Sequence, residues 1–420
     1  MLNATGYKIN KFNIGSYVCA ESIAFIQYYE SVLSPAIIIE AFVVDSNGIL
    51  SGDPSRNIPG LKGGEECEVE ITDANGKLVF TGDRKLFLRE ISSAKSTATS
   101  STFAIKLTTK ESLINETSRC CKRYKGKIHD IVTTISNETF LRGGAGEKLF
   151  VEDTENQYEF IGNARKPFHV ITWLAKKSIP DGGRAKKETT GSAGYFFYED
   201  RDGHKFRSVD SIIKTSTSRD IDPIVYTQSE TSSTISDNRD KILNVTFDTN
   251  YDLLENLRLG MFSNVNYFYN SFTQTSSCFQ YNLVDSYSKK LNTLNKGASV
   301  YPIPEYLKTS PSRIMFSIVD SGTLQSNGEY PDKSFPQDQN RYQAQSVVRY
   351  NLIFSQTVSI TVPSNVSLRV GDVIKCKFLQ PRNGKDDLRS GKYIIAELSH
   401  KFSEGSGYSG LKLIRDSYGD

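Results

Sequence analysis

The chain is poor in the residues that most often carry chemistry. Its 420 residues include one tryptophan, three methionines, four histidines and six cysteines. The histidines are scattered and no His-Glu-x-x-His spacing occurs, so zinc-peptidase chemistry lacks its paired ligands. His129 and His169 fall on predicted helices, His204 and His400 on predicted strands, and each reads as an ordinary surface or half-buried side chain. Cys19, Cys67, Cys120, Cys121, Cys278 and Cys376 form no Cys-x-x-Cys pair, and the adjacent Cys120 and Cys121 are poorly placed to share a metal. In a chain of this length without a secretory start, all six are expected to be reduced thiols, mostly buried.

Long apolar runs are missing too. The first thirty residues show no charged start followed by an apolar stretch and a small-residue cleavage site. Ala36–Val44 is the most apolar segment, yet Glu40 interrupts it and it falls far short of the ~20 residues that span a bilayer. A soluble protein made in the cytoplasm, with no membrane anchor, is the expectation. Charge of one sign is missing as well: Lys+Arg 51 stands against Asp+Glu 48, a net +3. Nucleic-acid readers usually carry a pI above 9 and clustered basic stripes. The densest basic run, Lys122–Lys127, reads as the solvated start of a helix or a rim patch.

Catalytic signatures fail one by one. Gly143-Gly144-Ala145-Gly146-Glu147-Lys148 has glycines like a phosphate cradle, but Glu147 parts the last glycine from the lysine and Leu149 replaces the Ser or Thr that would hold magnesium. No Gly-x-Ser-x-Gly elbow occurs. Asp200 with Asp202, and Asp386 with Asp387, lie in turns, where aspartate is ordinary, and read as solvated. No catalytic, cofactor-binding or metal-ligating residue is assigned, and no cofactor is expected.

What is present is β-structure. Hydrophobic residues make up 38% of the chain, and Tyr 22 with Phe 23 suit half-buried pleated surfaces. At ~100–200 residues per domain the length suggests two to four domains. Cys67, Val69 and Ile71 alternate with Glu68, Glu70 and Thr72 as on a strand with one apolar face. Asn75-Gly76 then signals a hairpin turn with both residues at positive φ, and Leu78–Thr81 returns. Phe103, Ile105 and Leu107 alternate likewise, while the nearly continuous Ala36–Val44 suggests a strand covered on both sides.

Past Lys110 the period changes. Ile128, Ile131, Val132 and Ile135 predict a helix over Lys127–Ser136, and Pro167 opens another whose face carries Val170, Ile171 and Leu174 through Lys177. A polar loop, Asp181–Gly194, leads to a hairpin: Tyr195–Tyr198, the acidic turn Glu199–Gly203, then His204–Ser208. Strand alternation returns at Leu243, Val245 and Phe247. Ser286–Asn340 is rich in Ser, Asn, Pro and Gly and suggests long loops, and Ala344, Val347 and Val348 fit a helix leading to Leu352. Alternation resumes at Val358, Ile360 and Val362, at Ile374, Cys376 and Phe378, and at Leu411 and Leu413.

The C-terminal stretches carry a resemblance. Ser367-Leu368-Arg369-Val370-Gly371-Asp372-Val373-Ile374 resembles the Leu-x-x-Gly-Asp-x-Ile turn that opens a barrel strand in phage tail hub proteins. Arg389-Ser390-Gly391-Lys392-Tyr393 and its continuation to His400 look like the matching strand, and Leu411–Asp416 like its terminal partner. Ser112–Glu116 stands where that family leaves its first barrel, and Trp173 and Leu174 stand in the helix before its α+β hairpin. The chain thus resembles the baseplate hub proteins of contractile-tailed, T-even-type bacteriophages.

That resemblance implies a β-rich α+β fold, with two tail-tube-like antiparallel β-barrel domains flanking an α+β domain. The implied division is residues 1–110 for the first barrel and 111–235 for the α+β domain. The second barrel would take 236–285 with 345–420, and a long-looped insertion 286–344. It further implies a non-enzymatic virion component assembled in the bacterial host cytoplasm. This would be a homotrimer whose six barrels adapt a six-fold tail tube to a three-fold central spike protein. The tail tube-initiating protein, the tape measure protein and baseplate wedge proteins would be its neighbours, with transient DNA passage through the lumen during genome ejection. Two other readings stay open: a further β-rich virion component such as a tail-tube adaptor, and a tail-associated cell-wall hydrolase.

Overall fold

The structure is a computed structural model and describes residues 5–46, 48, 50, 52, 60–97, 100–141, 148–181, 193–218, 224–228, 239–248, 253–271, 274–283, 293–295, 306–307, 310–319, 335–380 and 384–418. Alternating apolar residues build the first unit from β1 (Tyr7–Ile14), β2 (Tyr17–Val18), β3 (Ile23–Ser31), β4 (Ile38–Asp45), β5 (Glu66–Asp73), β6 (Lys77–Phe80), β7 (Leu86–Ser96) and β8 (Ser101–Thr109). They pair antiparallel in the order β3-β4-β8-β7-β5-β1-β2, with β6 also on β5. Cys67, Val69 and Ile71 point inward as read, onto a core with Phe12, Ile39, Val43, Phe80 and Leu107. At ~1.5–3 kcal/mol for each large apolar side chain fully buried, this set gives the unit a core of its own.

Two local expectations differ. β4 is covered on one face only: Ile39, Ala41 and Val43 are buried, whereas Phe42 is exposed on the outer side. The β5–β6 hairpin is present, yet neither Asn75 nor Gly76 has positive φ. The Asp73 carboxylate instead accepts the N–H groups of Asn75 (2.7 Å) and Gly76 (2.9 Å), an Asx turn. Asn75 in turn donates to the Ser364 carbonyl at 2.8 Å, so a contact remote in sequence fixes this turn.

The middle unit comprises α1 (Lys110–Thr117), β9 (Arg123–Lys127), α2 (Ile128–Glu138), β10 (Leu149–Val151), β11 (Gln157–Ile161), α3 (Pro167–Ala175), β12 (Tyr195–Asp200), β13 (Gly203–Ser208) and α4 (Val209–Ser218). The apolar faces of α2 and α3 meet as read, and Pro167 occupies the first turn of α3. Lys122–Lys127 is no helix start. Its residues form β9 against β11, where cross-strand carboxylates meet its cations: Arg123 pairs with Glu159, and Lys125 reaches the same carboxylate at 3.6 Å. Of the expected Asp181–Gly194 loop, residues 182–192 lie outside the described residues.

The rest comprises β14 (Val225–Gln228), β15 (Lys241–Ile242), β16 (Asn244–Phe247), α5 (Leu253–Arg258), β17 (Ser263–Asn270), β18 (Thr275–Asn282), β19 (Arg313–Val319), α6 (Phe335–Ile353), β20 (Gln356–Pro363), β21 (Val373–Lys377), β22 (Leu379–Gln380), β23 (Gly384–Lys385), β24 (Gly391–Ser403) and β25 (Ser406–Arg415). Within the stretch expected to be loops, β19 is therefore a strand. It pairs parallel with β17, and with β18 these make a separate three-stranded sheet.

The second β unit runs β14-β21-β24-β25-β20-β16. β24 serves both β units. Its first half pairs with β21 and sends Ile394 and Ile395 into the second core. Beyond a bulge at Ala396 it pairs with β3 and sends Phe402 into the first. Fifteen strands thereby share one sheet. The fold is β-rich α+β, as expected, but the described pairings do not trace two closed antiparallel barrels. β14 is parallel to both β15 and β21, and in the second unit the last link is covalent: Leu243, between β15 and β16, donates its N–H to the Thr361 carbonyl at 2.8 Å. Shared β24 is why the strands of both units fall in one sheet rather than two.

Candidate functional site

The densest set of buried charged groups lies where the three units meet, around the tip of the β12–β13 hairpin. Every residue of β12 is buried. The tip turns at Gly203, with φ +145; a Cβ there would lie 2.3 Å from the Lys148 carbonyl oxygen, so only glycine fits. Glu199 reaches into the first unit, accepting the Ile37 N–H (3.2 Å), the Thr109 hydroxyl (2.9 Å) and both terminal nitrogens of Arg84 (3.3 Å). Arg84 also donates to the Asp200 carbonyl at 3.1 Å. Arg201 reaches the other way and donates to the carbonyls of Val366 and Ser367.

Glu30, at the end of β3, closes the junction. Its carboxyl group accepts from the Tyr28 hydroxyl, from the Arg201 N–H (2.8 Å) and from the Val370 N–H (3.1 Å), so one side chain ties first, middle and C-terminal units. Asp200 accepts the N–H groups of Asp202 (2.9 Å) and Gly203 (3.2 Å) and pairs with Lys205 at 2.5 Å. Behind Tyr28 the His400 ring stacks at 5.8 Å, and its Nδ1 lies 2.8 Å from the Ser409 hydroxyl.

Burial sets the protonation states. Removal from water pushes Glu30 up to about 8, with the Asp200 charge adding to it. Glu199 is pushed up to about 7 by burial, against the pull of Arg84. His204 is driven down to about 4, chiefly by burial, so its imidazole is neutral at pH 7. Its Nε2 lies 3.1 Å from the Pro35 carbonyl, and since a carbonyl only accepts, Nε2 carries the proton. His400 is driven down to about 3 by burial. Carboxylates and imidazoles thus converge here, but Glu30, Glu199, Asp200 and His204 are all no more than 1% exposed. They sit inside packed protein rather than along a cleft; the carboxylate oxygens meet the chain's own donors, while His204 Nδ1 has no hydrogen-bond partner among the described residues.

The residues that carry the resemblance attach to this junction or to a second one. Gly371, at φ +81, is pressed on the hairpin: a Cβ would lie 2.8 Å from the Tyr198 hydroxyl. Arg369 pairs with Asp202, and the Val370 N–H is the one that Glu30 accepts. Arg415 extends the inward row of Leu411 and Leu413. It donates to Gln356 (2.6 Å) and to the carbonyls of Ser390 (3.2 Å) and Leu388 (2.8 Å), and it stacks over Tyr393. Asp416 and Asp210 flank the buried Arg349 of α6 at 3.0 and 3.1 Å. Arg369, Val370, Gly371 and, through Arg349, Asp416 join units, whereas Arg415 binds within the second β unit.

Several sequence expectations are corrected here. The acidic turn is solvated only in part: Glu199 and Asp200 are buried, whereas Asp202 is exposed. Asp386 is buried as well, accepting the Arg389 N–H at 3.0 Å, while Asp387 is exposed. His204 and His400 are fully buried rather than at the surface. Of Gly143–Lys148, residues 143–147 lie outside the described residues, and Lys148 donates to the Asp83 carbonyl at 2.8 Å. The cysteines are free, four of them buried, with Cys121 and Cys278 exposed. Among the described residues no cluster of His, Cys, Asp or Glu could hold a metal, and no helix is long and apolar enough to cross a membrane. Sequence reasoning passed over Glu30, although a signal exists: it continues the inward row Ile26, Tyr28.

No family model matches the chain. The chain is 24% identical over 305 residues to "Probable baseplate hub protein gp334" of Vibrio phage KVP40, a match spanning 70% of this chain and 67% of that protein. Its fold is that of a tail protein from Neisseria meningitidis MC58, with a TM-score of 0.57 at 12% identity over 98% and 97% of the two chains. It is also that of the 43 kDa tail protein of prophage MuSo2 from Shewanella oneidensis, with a TM-score of 0.54 at 9% identity over 97% and 98%. The chain is a distant homologue of a phage baseplate hub protein, built on the fold of phage tail proteins.

Proposed function

We propose that this chain is a structural, non-enzymatic hub of a contractile phage baseplate. Three copies would form a ring that adapts the six-fold tail tube to the three-fold central spike. The observation that carries this reading is β24, one strand shared between two separate β cores. Each core supplies one barrel-like seat, and the shared strand sets the two seats side by side in one rigid sheet, so that three chains offer six. The division into residues 1–110, 111–235, 236–285 with 345–420, and an insertion over 286–344 is the frame we adopt, with β14 counted in the second β unit and β17 and β18 joined to β19 of the insertion. It is supported by three hydrophobic clusters centred on the two β units and the α+β unit, the second β cluster also taking in Phe196, Val209 and Ile212 and the first taking in Val366 and Phe402.

The charged junction serves the same role. Burying carboxylates is costly unless they are paired and hydrogen-bonded, and removing one partner costs ~3–5 kcal/mol. A knot of this kind resists any sliding of one unit against another, which a force-bearing adaptor needs. The sealed position of Glu30, Glu199 and His204 favours this role over hydrolysis, in which a carboxylate pair must face a substrate. In the assembled virion the neighbours would be the spike, the tube-initiating protein, the tape measure protein and the wedges, with DNA crossing the lumen transiently. The test is the mass of the purified chain, alone and with its spike protein, together with low-resolution imaging. A three-fold ring is expected. A lone chain at every concentration, with and without the spike, overturns the proposal, and turnover of peptidoglycan by the pure chain would restore the hydrolase reading.

A further inference from the structure

The small sheet of β17, β18 and β19 has an inner face that carries Asn264, Asn266 and Arg313, and an outer face that is mostly apolar. One face packs on α6: Tyr281 lies against the core of Met261, Phe262, Val348 and Leu352, and Asn264 donates to the Ala344 carbonyl at 3.3 Å. On the other face the register aligns three rows, Gln280–Val265–Ile314, Cys278–Tyr267–Phe316 and Ser276–Tyr269–Ile318. Phe316 and Ile318 are each 78% exposed, Ile314 59%, Tyr269 47% and Tyr267 39%. None of the nine residues is charged, and β19 is an edge strand of the sheet, as is β18. A sheet solvated on one face normally alternates apolar-in with polar-out. Here the outward positions of β19 are isoleucine and phenylalanine.

We infer that this outer face is a contact surface for a second copy of this chain. The inference rests on the oligomeric reading above and assigns a surface to it. Size is the first argument. Large side chains present ~150–250 Å² each when accessible, so at these exposures the five expose on the order of 600 Å². That is at the upper end of the ~300–600 Å² patches found on monomers and near the ~800 Å² that one partner brings to a standard interface. Chemistry is the second argument. Nucleic acid and anionic lipid surfaces are met by Lys and Arg, which this face lacks. Uncharged apolar faces belong to permanent contacts, whereas transient ones are more polar. The third argument is the edge: an exposed apolar edge strand invites aggregation and has to be covered from synthesis onward. A further copy of the chain is the partner present in matching amount wherever the chain is made. In a three-fold assembly this contact is heterologous, the face meeting a different surface of the neighbour.

Cys278, exposed in the middle row, reports on the face, and Cys121, exposed on the middle unit, is an internal reference. The experiment labels the full chain with a maleimide across a concentration series, quantifies both peptides by mass spectrometry, and reads the mass of each sample in parallel. On assembly the rate at Cys278 relative to Cys121 is expected to fall at least tenfold, and to recover on dilution to the monomer. The double variant F316K/I318K is expected to remain monomeric with an unchanged circular dichroism spectrum. An oligomer in which Cys278 reacts as fast relative to Cys121 as in the monomer overturns this surface while leaving the oligomeric reading standing. A wild-type chain that stays monomeric throughout overturns both. Should the variant fail to fold, the wild-type labelling ratio still decides.

Discussion

Replacing Glu30 with glutamine changes one atom in the junction and separates its geometry from its charge. With its pKa raised from 4.5 to about 8 in the folded chain, the carboxyl group binds a proton more tightly folded than unfolded. The stability this contributes is fully present below pH 4.5 and is lost as pH rises through about 8. At ~1.4 kcal/mol per pH unit, the whole span corresponds to roughly 4–5 kcal/mol. Glutamine carries no such dependence, but its amide offers one acceptor oxygen where the carboxyl group offers two. Either the Arg201 or the Val370 N–H then loses its acceptor, at about 1–3 kcal/mol. Two curves that cross are therefore expected. Glu30→Gln is less stable than wild type at pH 5, by about 1–3 kcal/mol, and equal or more stable at pH 9. Urea denaturation of both proteins from pH 5 to pH 9 reads the difference directly, because titrations shared by the two, such as that of Glu199, cancel. Parallel curves across that range would refute the reasoning.

Arg349→Met strips the guanidinium from Asp210 and Asp416 and is expected to cost ~3–5 kcal/mol in urea denaturation, most of it recovered when Asp210→Asn and Asp416→Asn are added. Gly371→Ala is expected to lower stability by ~1–3 kcal/mol from its positive φ alone. Adding Tyr198→Phe, which removes the hydroxyl 2.8 Å from the new Cβ, should relieve the contact part of the loss, and unfolding of the single and double variants checks it. Cys121 is expected to react with a thiol reagent in the native chain while Cys19, Cys67, Cys120 and Cys376 wait for unfolding. Burial also holds the thiols of Cys19 and Cys67 up at about 11 and 12, so that alkaline pH short of unfolding leaves them unreactive.

Period and turn chemistry were enough to locate β4, β5, β6 and β8 of the first β unit, β16, β20, β21 and β25 of the second, the helices α2 and α3 and the β12–β13 hairpin, because each depends on side chains within a few residues of one another. The stretches that carried the resemblance were legible for the same reason, as local turns and rows. Their purpose was not. Gly371 is glycine because Tyr198, far away in the chain, presses on it, and Asp200 in an acidic turn looks solvated until the two β units close over it. Asn75-Gly76 announced a hairpin correctly and its conformation wrongly, since Asp73 and Ser364 supply hydrogen bonds that a local rule does not include. The sequence by itself determined the strands with clear alternation, such as β5, β8 and β20, and which side of each is apolar, since alternation is a property of neighbours. Only the tertiary structure decided that β24 belongs to two cores and that Glu30 and Glu199 are buried where three units meet. It alone decided that the β17–β19 sheet leaves an apolar face uncovered, since burial depends on what arrives from elsewhere in the chain.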